Sequence, residues 1–307
     1  MSQLIQLVST AVELGLINSL TVLALFLSYS MLNVCDLSTD GCFTLGAVVA
    51  STVALSGHPY LALLSALFVG VLSGAVTALL QTKMGIDSLL SGIIVNTGLY
   101  SINIAIMGGS SILNLNRTET VFTKMKDLLE NTFLSSAYRV VTALIFVVLV
   151  AVFLVFFLRT RLGLAIRATG DNPDMVSSSS INPAFTTVVG LCISSSFTAL
   201  SGALLSFSQK SVNVNSGSGM VTIALASLLI GRTFMGKGTV AKRSVGAVLG
   251  AIIFRPVYTI ALRFRLPSYS LKLVSSVIVI IAISGPYFKK KGPEYRRMME
   301  GRRKKNA

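Results

Sequence analysis

The sequence predicts an all-α polytopic membrane bundle of about nine segments, two of them short or broken, with a short helix across its inner face. Three observations carry this. Hydrophobic residues make up 53% of the 307 positions and charged residues 12%, about half the charged share of an ordinary soluble domain. Mean hydropathy is +0.78. The nineteen residues from Val140 to Leu158 contain no charge, a length that crosses the hydrocarbon of a bilayer.

In chain order the apolar stretches are 10–33, 41–57, 59–81, 86–108, 138–158, 184–207, 220–236, 244–262 and 271–287. The first ten residues carry no Lys or Arg and Glu13 interrupts the apolar run. The first segment is therefore expected to remain as a span rather than leave as a signal peptide. Stretches 41–57 and 220–236 are shorter than a spanning helix needs. Each follows a polar, Gly- and Ser-bearing run, 36–41 and 213–219. Interrupted segments of this kind, placed in the two halves of a chain, point to a translocation path, because irregular backbone at membrane depth needs protein or a wet cavity around it. The alternative is two plain short spans in a tilted bundle.

Gly70 to Gly74 in 59–81 and Gly246 to Gly250 in 244–262 have the small-xxx-small spacing of close helix contacts. Asn96 and Asn103 in 86–108 read as polar glue or as lining. The connection 109–137 is a loop whose Val121, Phe122, Met125, Leu128, Leu129 and Phe133 recur at helical spacing among charges, which predicts an amphipathic surface helix. In 159–183, Asp171-Asn172-Pro173 followed by Asp174 is a helix start, predicting a helix over about 172–180. Arg255 precedes Pro256 eleven residues into 244–262, so a charge and a helix break are expected together near mid-depth. An intramembrane Arg faces the bundle interior, with Asp36, Asp40 or Asn96 as candidate partners in a path or in a structural ion pair.

Basic residues set the orientation. The tail 288–307, loop 159–183, turn 237–243 and Lys83 collect sixteen Lys or Arg against six on the opposite side. The positive-inside rule then puts the tail in the cytoplasm and the N-terminus outside. Nearly half of the net charge of +15 sits in that tail, which suits anionic lipid and weakens the case for nucleic acid. Cys35, Cys42 and Cys192 have no metal or redox spacing, and the single His58 builds no metal site. With no phosphate-binding glycine loop, carboxylate pair or Ser/His/Asp set, the chain is expected to have no catalytic site and no cofactor.

Three stretches add a resemblance. Arg159-Thr160 through Gly163, Ala165-Ile166-Arg167-Ala168, Gly170 and Asn172, ending in Ile181-Asn182, resembles the cytoplasmic loop of permease subunits of ABC importers in the branched-chain amino acid and ribose permease superfamily. The segment Asp36-Leu37-Ser38-Thr39-Asp40-Gly41 to Leu45-Gly46-Ala47 resembles that family's early motif. Ala224 to Gly231 with Lys242-Arg243-Ser244 resembles its late short helix and turn. The Asp-Gly segment and Leu266-Pro267 are most similar to the uncharacterised or aromatic amino acid importer subgroup. The sequence departs from the pattern at Ser177 to Ser180 and at Arg232, where the subgroup often has Glu.

The resemblance covers about 10–287. It implies a permease domain over 1–287, a basic tail over 288–307, and a coupling helix that docks on a separate ATPase through Arg167, Gly170, Asp171, Asn172 and Asp174. It also implies an extracytoplasmic binding protein, a homodimer or paralogous partner, and a bacterial inner-membrane location. Asp36, Asp40, Asn96 and Arg255 are the candidates for the translocation path. From the residues alone, a secondary transporter driven by an ion gradient stays open, with Asp36, Asp40 and Arg255 as coupling groups.

Overall fold

The computed structural model describes residues 2–116, 118–130, 137–236 and 238–263, together with 273, 276, 277 and 280. The ninth predicted segment, 271–287, the Leu266-Pro267 motif and the tail 288–307 lie outside the described residues, apart from those four positions. Within them the chain forms α1 (Ser2–Leu25), which runs into a π-helical turn (Phe26–Met31), then α2 (Thr39–Leu55), α3 (Pro59–Thr82) and α4 (Ser88–Ile106). After these come β1 (Ile112–Asn114), α5 (Val121–Leu129), α6 (Tyr138–Phe157), α7 (Arg161–Asp171) and α8 (Pro173–Ser178). The remainder is α9 (Pro183–Gln209), β2 (Ser211–Asn213), α10 (Met220–Met235) and α11 (Val240–Arg263). Five helices are long and apolar enough to cross a membrane: α1 with its π turn, α3, α4, α6 and α9. The short apolar helices are α2 and α10.

Helix α9 is the axis of the bundle, and its side chains from Ser194 to Phe207 are all buried. It carries seven Ser or Thr between 194 and 208, which lets neighbours approach closely and supplies hydroxyls to their carbonyls. Ser201 Oγ donates to Ile17 O at 2.7 Å and Ser194 Oγ to Ala24 O at 2.8 Å, so α1 runs antiparallel to α9. The same Ala24 carbonyl also lies 3.4 Å from Ser28 Oγ, a residue of the π turn. Helix α3 is also antiparallel: a Cβ on Gly70 would lie 2.7 Å from Ser195 O, and one on Gly74 2.6 Å from Leu191 O. Gly246 and Gly250 of α11 meet Gly231 and Ser227 of α10 in the same manner.

Helix α2 runs parallel to α9, with Cys42 Sγ against Ser195 O at 3.3 Å and Ser51 Oγ against Ser206 Oγ at 3.2 Å. Ser195 is near the middle of α9. The seventeen residues of α2, about 24 Å of helix, therefore begin half-way through the bundle and run to one end.

That end is closed by a two-stranded sheet in which Ile112 pairs with Asn213 and Asn114 with Ser211, joining the 109–137 connection to the segment after α9. Lys210, at φ 54 on the C-cap of α9, donates through Nζ to Thr118 O at 2.9 Å and to the hydroxyls of Thr120 and Thr123 at 3.3 Å each. Those two threonines form the capping box of α5. Burial, followed by the nearby Arg139, lowers the Lys210 pKa from its ordinary value.

Two expectations are corrected here. Helix α11 continues through Pro256 to Arg263, so the proline does not break it; neighbouring helices supply the context in which membrane helices tolerate proline. Because α11 starts at Val240, Arg255 is fifteen residues along, about 22 Å, and not at mid-depth. Gly15 of α1, whose Cβ would lie 3.4 Å from Arg255 Cβ, sits between the levels at which Ile17 meets Ser201 and Glu13 meets Ser208. That is toward the sheet end.

Candidate functional site

Two short helices meet at the middle of the bundle. Helix α10 begins at Met220, and its N-cap Gly219, at φ 86, has no side chain to cap the free N–H groups of the first turn. Asp40, in the first turn of α2, takes that role from another helix. Its Oδ2 accepts from Gly219 N at 2.8 Å and its Oδ1 from Val221 N at 2.9 Å. Thr44 Oγ1, one turn on, accepts from Gly217 N at 3.1 Å and donates to Asp40 O at 3.2 Å. A side chain on Gly217 would meet Thr44 Oγ1 and the Asp40 carbonyl, so the 213–219 run is small and polar because it threads along the first turn of α2.

Around this junction lies a cavity of about 300 Å³, lined by Asp40, Thr44, Asn96, Tyr100, Asn103, Asn215 and Ser218 among others. Asn96, Tyr100 and Asn103 fall on one face of α4, at i, i+4 and i+7. Asn103 is buried, with Nδ2 3.4 Å from Gly41 O. The lining offers amide, hydroxyl and carboxylate groups. The N-terminal, positive ends of both α2 and α10 converge on it, and a carboxylate compensates one of them. Such a cavity can hold a small polar solute by hydrogen bonds, and the described residues contain no cluster of His, Cys, Asp or Glu suited to a metal.

Of the four residues named for a path, Asp40 and Asn96 come together here. Asp36 does not line the cavity among the described residues; it is 1% exposed, and its Oδ1 accepts from Ser38 N at 2.8 Å while Thr39 Oγ1 donates to Asp36 O at 2.9 Å. It builds the turn that starts α2. Arg255 stands apart, between α11 and α1. Thr44, Tyr100, Asn215 and Ser218 escaped the sequence reading. The face shared by Asn96, Tyr100 and Asn103 was the available signal for Tyr100.

At the far end of the bundle from the sheet, the predicted helix over 172–180 is the shorter α8, and an unforeseen helix, α7, precedes it. Asn172 ends α7 and caps α8: its Oδ1 accepts from Asp174 N at 3.1 Å and Met175 N at 3.0 Å. Helix α7 is fixed to α9 by Thr169 and Thr186, whose hydroxyls lie 2.8 Å apart. Gly170 passes so close to the end of the π turn that a Cβ would lie 2.8 Å from Leu32 C. Asp171 and Asp174 are exposed, and Met175 is 59% exposed. The last turn of α10 and the first of α11 bring Arg232 and Arg243 into one crevice with Phe26 and Ser30, the Arg243 guanidinium 5.5 Å from the Phe26 ring centre. Burial, then the fields of Arg232 and Arg167, lower the Arg243 pKa; Asp171 acts in the opposite sense.

Residues 7–284 match the family model described as branched-chain amino acid transport system / permease component. The chain is 34% identical over 267 residues to a tyrosine transport system permease protein of Clostridioides difficile, covering 87% of this chain and 86% of that protein. It is 26% identical over 252 residues to the ribose import permease protein RbsC of Escherichia coli K12, covering 81% and 75%. A D-allose transport system permease protein, AlsC, of the same strain is 26% identical over 254 residues, covering 81% and 74%. No solved structure matches. The chain belongs to the branched-chain amino acid transport system permease family, and is a multi-pass membrane permease.

Proposed function

We propose that this chain, as the permease subunit of an ABC importer, carries a small solute through the cavity at Asp40 and couples it to an ATPase through α7 and α8. The cavity sits half-way along α9, where two half-length helices meet, and that is the observation that carries the reading. The solute class that fits is an amino acid or a related polar molecule, since amides, hydroxyls and one carboxylate face the opening. The relative named for tyrosine transport, at 34% identity, favours an aromatic amino acid. An extracytoplasmic binding protein would deliver it at the sheet end, and a second permease chain would close the path.

The same reading sets the sides. The N-terminus and 109–137 face outward, while 159–183 and the basic tail face the cytoplasm, in keeping with the charge bias, and the setting is the inner membrane of a bacterium. Helix α10 is then a lever. Its first turn is held by Asp40 in the cavity, and its last turn presents Arg232 beside Arg243 to the field of Arg167 and Asp171. Movement of α7 and α8 by ATPase closure would tilt α10 and change the opening at its other end. The candidate coupling residues are Arg167, Gly170, Asp171, Asn172 and Asp174.

Membership of the branched-chain amino acid transport system permease family favours the ATP-driven reading over a gradient-driven transporter. The deciding experiment is purification of the tagged chain from its native membrane with identification of what stays bound, then reconstitution. ATP-dependent uptake with a co-purified ATPase supports the reading. Uptake by the chain alone under an ion gradient would sink it.

A further inference from the structure

A second site lies on the outside of the bundle, between α6 and α11, where the two helices leave a groove of about 330 Å³. Val152, Val155 and Phe156 of α6 and Ala241 and Val245 of α11 face it. Val152 and Phe156 are 63% and 73% exposed. Ser244 also lines the groove, but its Oγ donates to Val240 O at 3.1 Å, so the hydroxyl is already satisfied. The one charged side chain among the described lining is Arg159, which follows the C-cap of α6 and so stands where that helix leaves the apolar layer. Among the described residues no carboxylate lies within ion-pair distance of it. Arg161 and Lys242 flank the same end in sequence.

An apolar slot with a guanidinium at its water-facing end has the form of an amphiphile. We propose that the groove between α6 and α11 holds an acyl chain of an anionic phospholipid whose headgroup phosphate pairs with Arg159. An unfilled groove forfeits dispersion contacts along both helices, and in a bilayer the material at hand to fill it is hydrocarbon. The guanidinium fork matches a phosphate oxygen pair and keeps its charge at every physiological pH. Charge at one end and none along the slot favours an anionic lipid over a zwitterionic one. The larger apolar cleft behind α4, about 570 Å³ and lined by Val76, Leu80, Ile94 and Gly98 among others, has no charged residue in its described lining and selects no headgroup.

The test is native mass spectrometry of the full-length chain with phosphatidylglycerol and phosphatidylcholine of identical acyl composition. The wild type should retain the anionic lipid about fivefold better, the effect of one basic residue at the surface. R159Q should bring the two lipids close to parity. Val245→Trp, which fills the slot and leaves the charge in place, should lower retention of both. Equal retention by the wild type would overturn the proposal. A preference that survives R159Q would assign it to the basic tail and overturn the site. Loss of self-association in Val245→Trp with lipid retention intact would show that a second copy of the chain covers the groove, which also overturns it. If R159Q does not fold, the Val245→Trp result decides alone.

Discussion

The two ends of α10 treat polar groups in opposite ways. At its first turn, in the middle of the bundle, the backbone donors of Gly217, Gly219 and Val221 each have an acceptor on α2. At its last turn Arg232 and Arg243 share a crevice with like-charged Arg167 nearby, and the acid in reach, Asp171, is itself exposed. Water explains the difference. At the junction, away from bulk water, the protein itself supplies an acceptor for each of these donors. At the end of the bundle solvent screens the charges until a partner takes its place. The first end is built for stability and the second for an encounter.

The strongest way to break this contrast is Asp40→Ala. Removing the carboxylate leaves donors of the first α10 turn without acceptors at the cavity wall, which should cost about 1–3 kcal/mol, read as a lower unfolding midpoint in detergent, together with loss of uptake. An unfolding midpoint unchanged from wild type would mean that water reaches the junction and that the two ends do not differ. Next in size is Asn172→Ala, which removes the cap of α8. It should loosen that helix by about 1 kcal/mol and uncouple ATP hydrolysis from uptake while the ATPase still turns over. Tyr100→Phe should be smaller still. It deletes one cavity hydroxyl, so uptake should show an apparent affinity about fivefold weaker with no shift in the unfolding midpoint; an equal loss of stability would make Tyr100 structural rather than lining.

Much of this arrangement was legible before any coordinates. Eight of the nine predicted segments coincide with helices, because apolar length is a strong signal in a membrane chain. The shortness of α2 and α10 followed from the polar runs before them. The junction itself was hidden, since Asp40 and the 217–221 backbone are some 180 positions apart, and the N–H groups that bind the carboxylate carry no side-chain signature. Arg255 shows the converse. Its charge was conspicuous, but its depth depended on where α11 starts, and a shift of four residues from 244 to Val240 carried it toward the sheet end and α1. The π turn and α7 were also unforeseen. Packing of Gly170 and Thr169 on their neighbours decides α7, and periodicity registers neither it nor the π turn.

Arg243→Gln should give the smallest change in stability and is the sharpest probe of the other end. The substitution loses the contact of the half-buried Arg243 with the buried Phe26 ring, worth about 1 kcal/mol. It also removes a charge that Arg232 and Arg167 repel, so the two effects offset and the unfolding midpoint should stay within about 0.5 kcal/mol of wild type. Association with the ATPase should respond differently. If the arginines wait for an acidic surface, the loss of one should weaken binding and flatten its dependence on salt, because screened charges act on encounter more than on packing. Titrating ATPase binding at rising NaCl measures this directly. A variant as unstable as Asp40→Ala would place Arg243 in the bundle's own framework, whereas a stable variant with an unchanged salt slope would move the encounter surface to α8 alone.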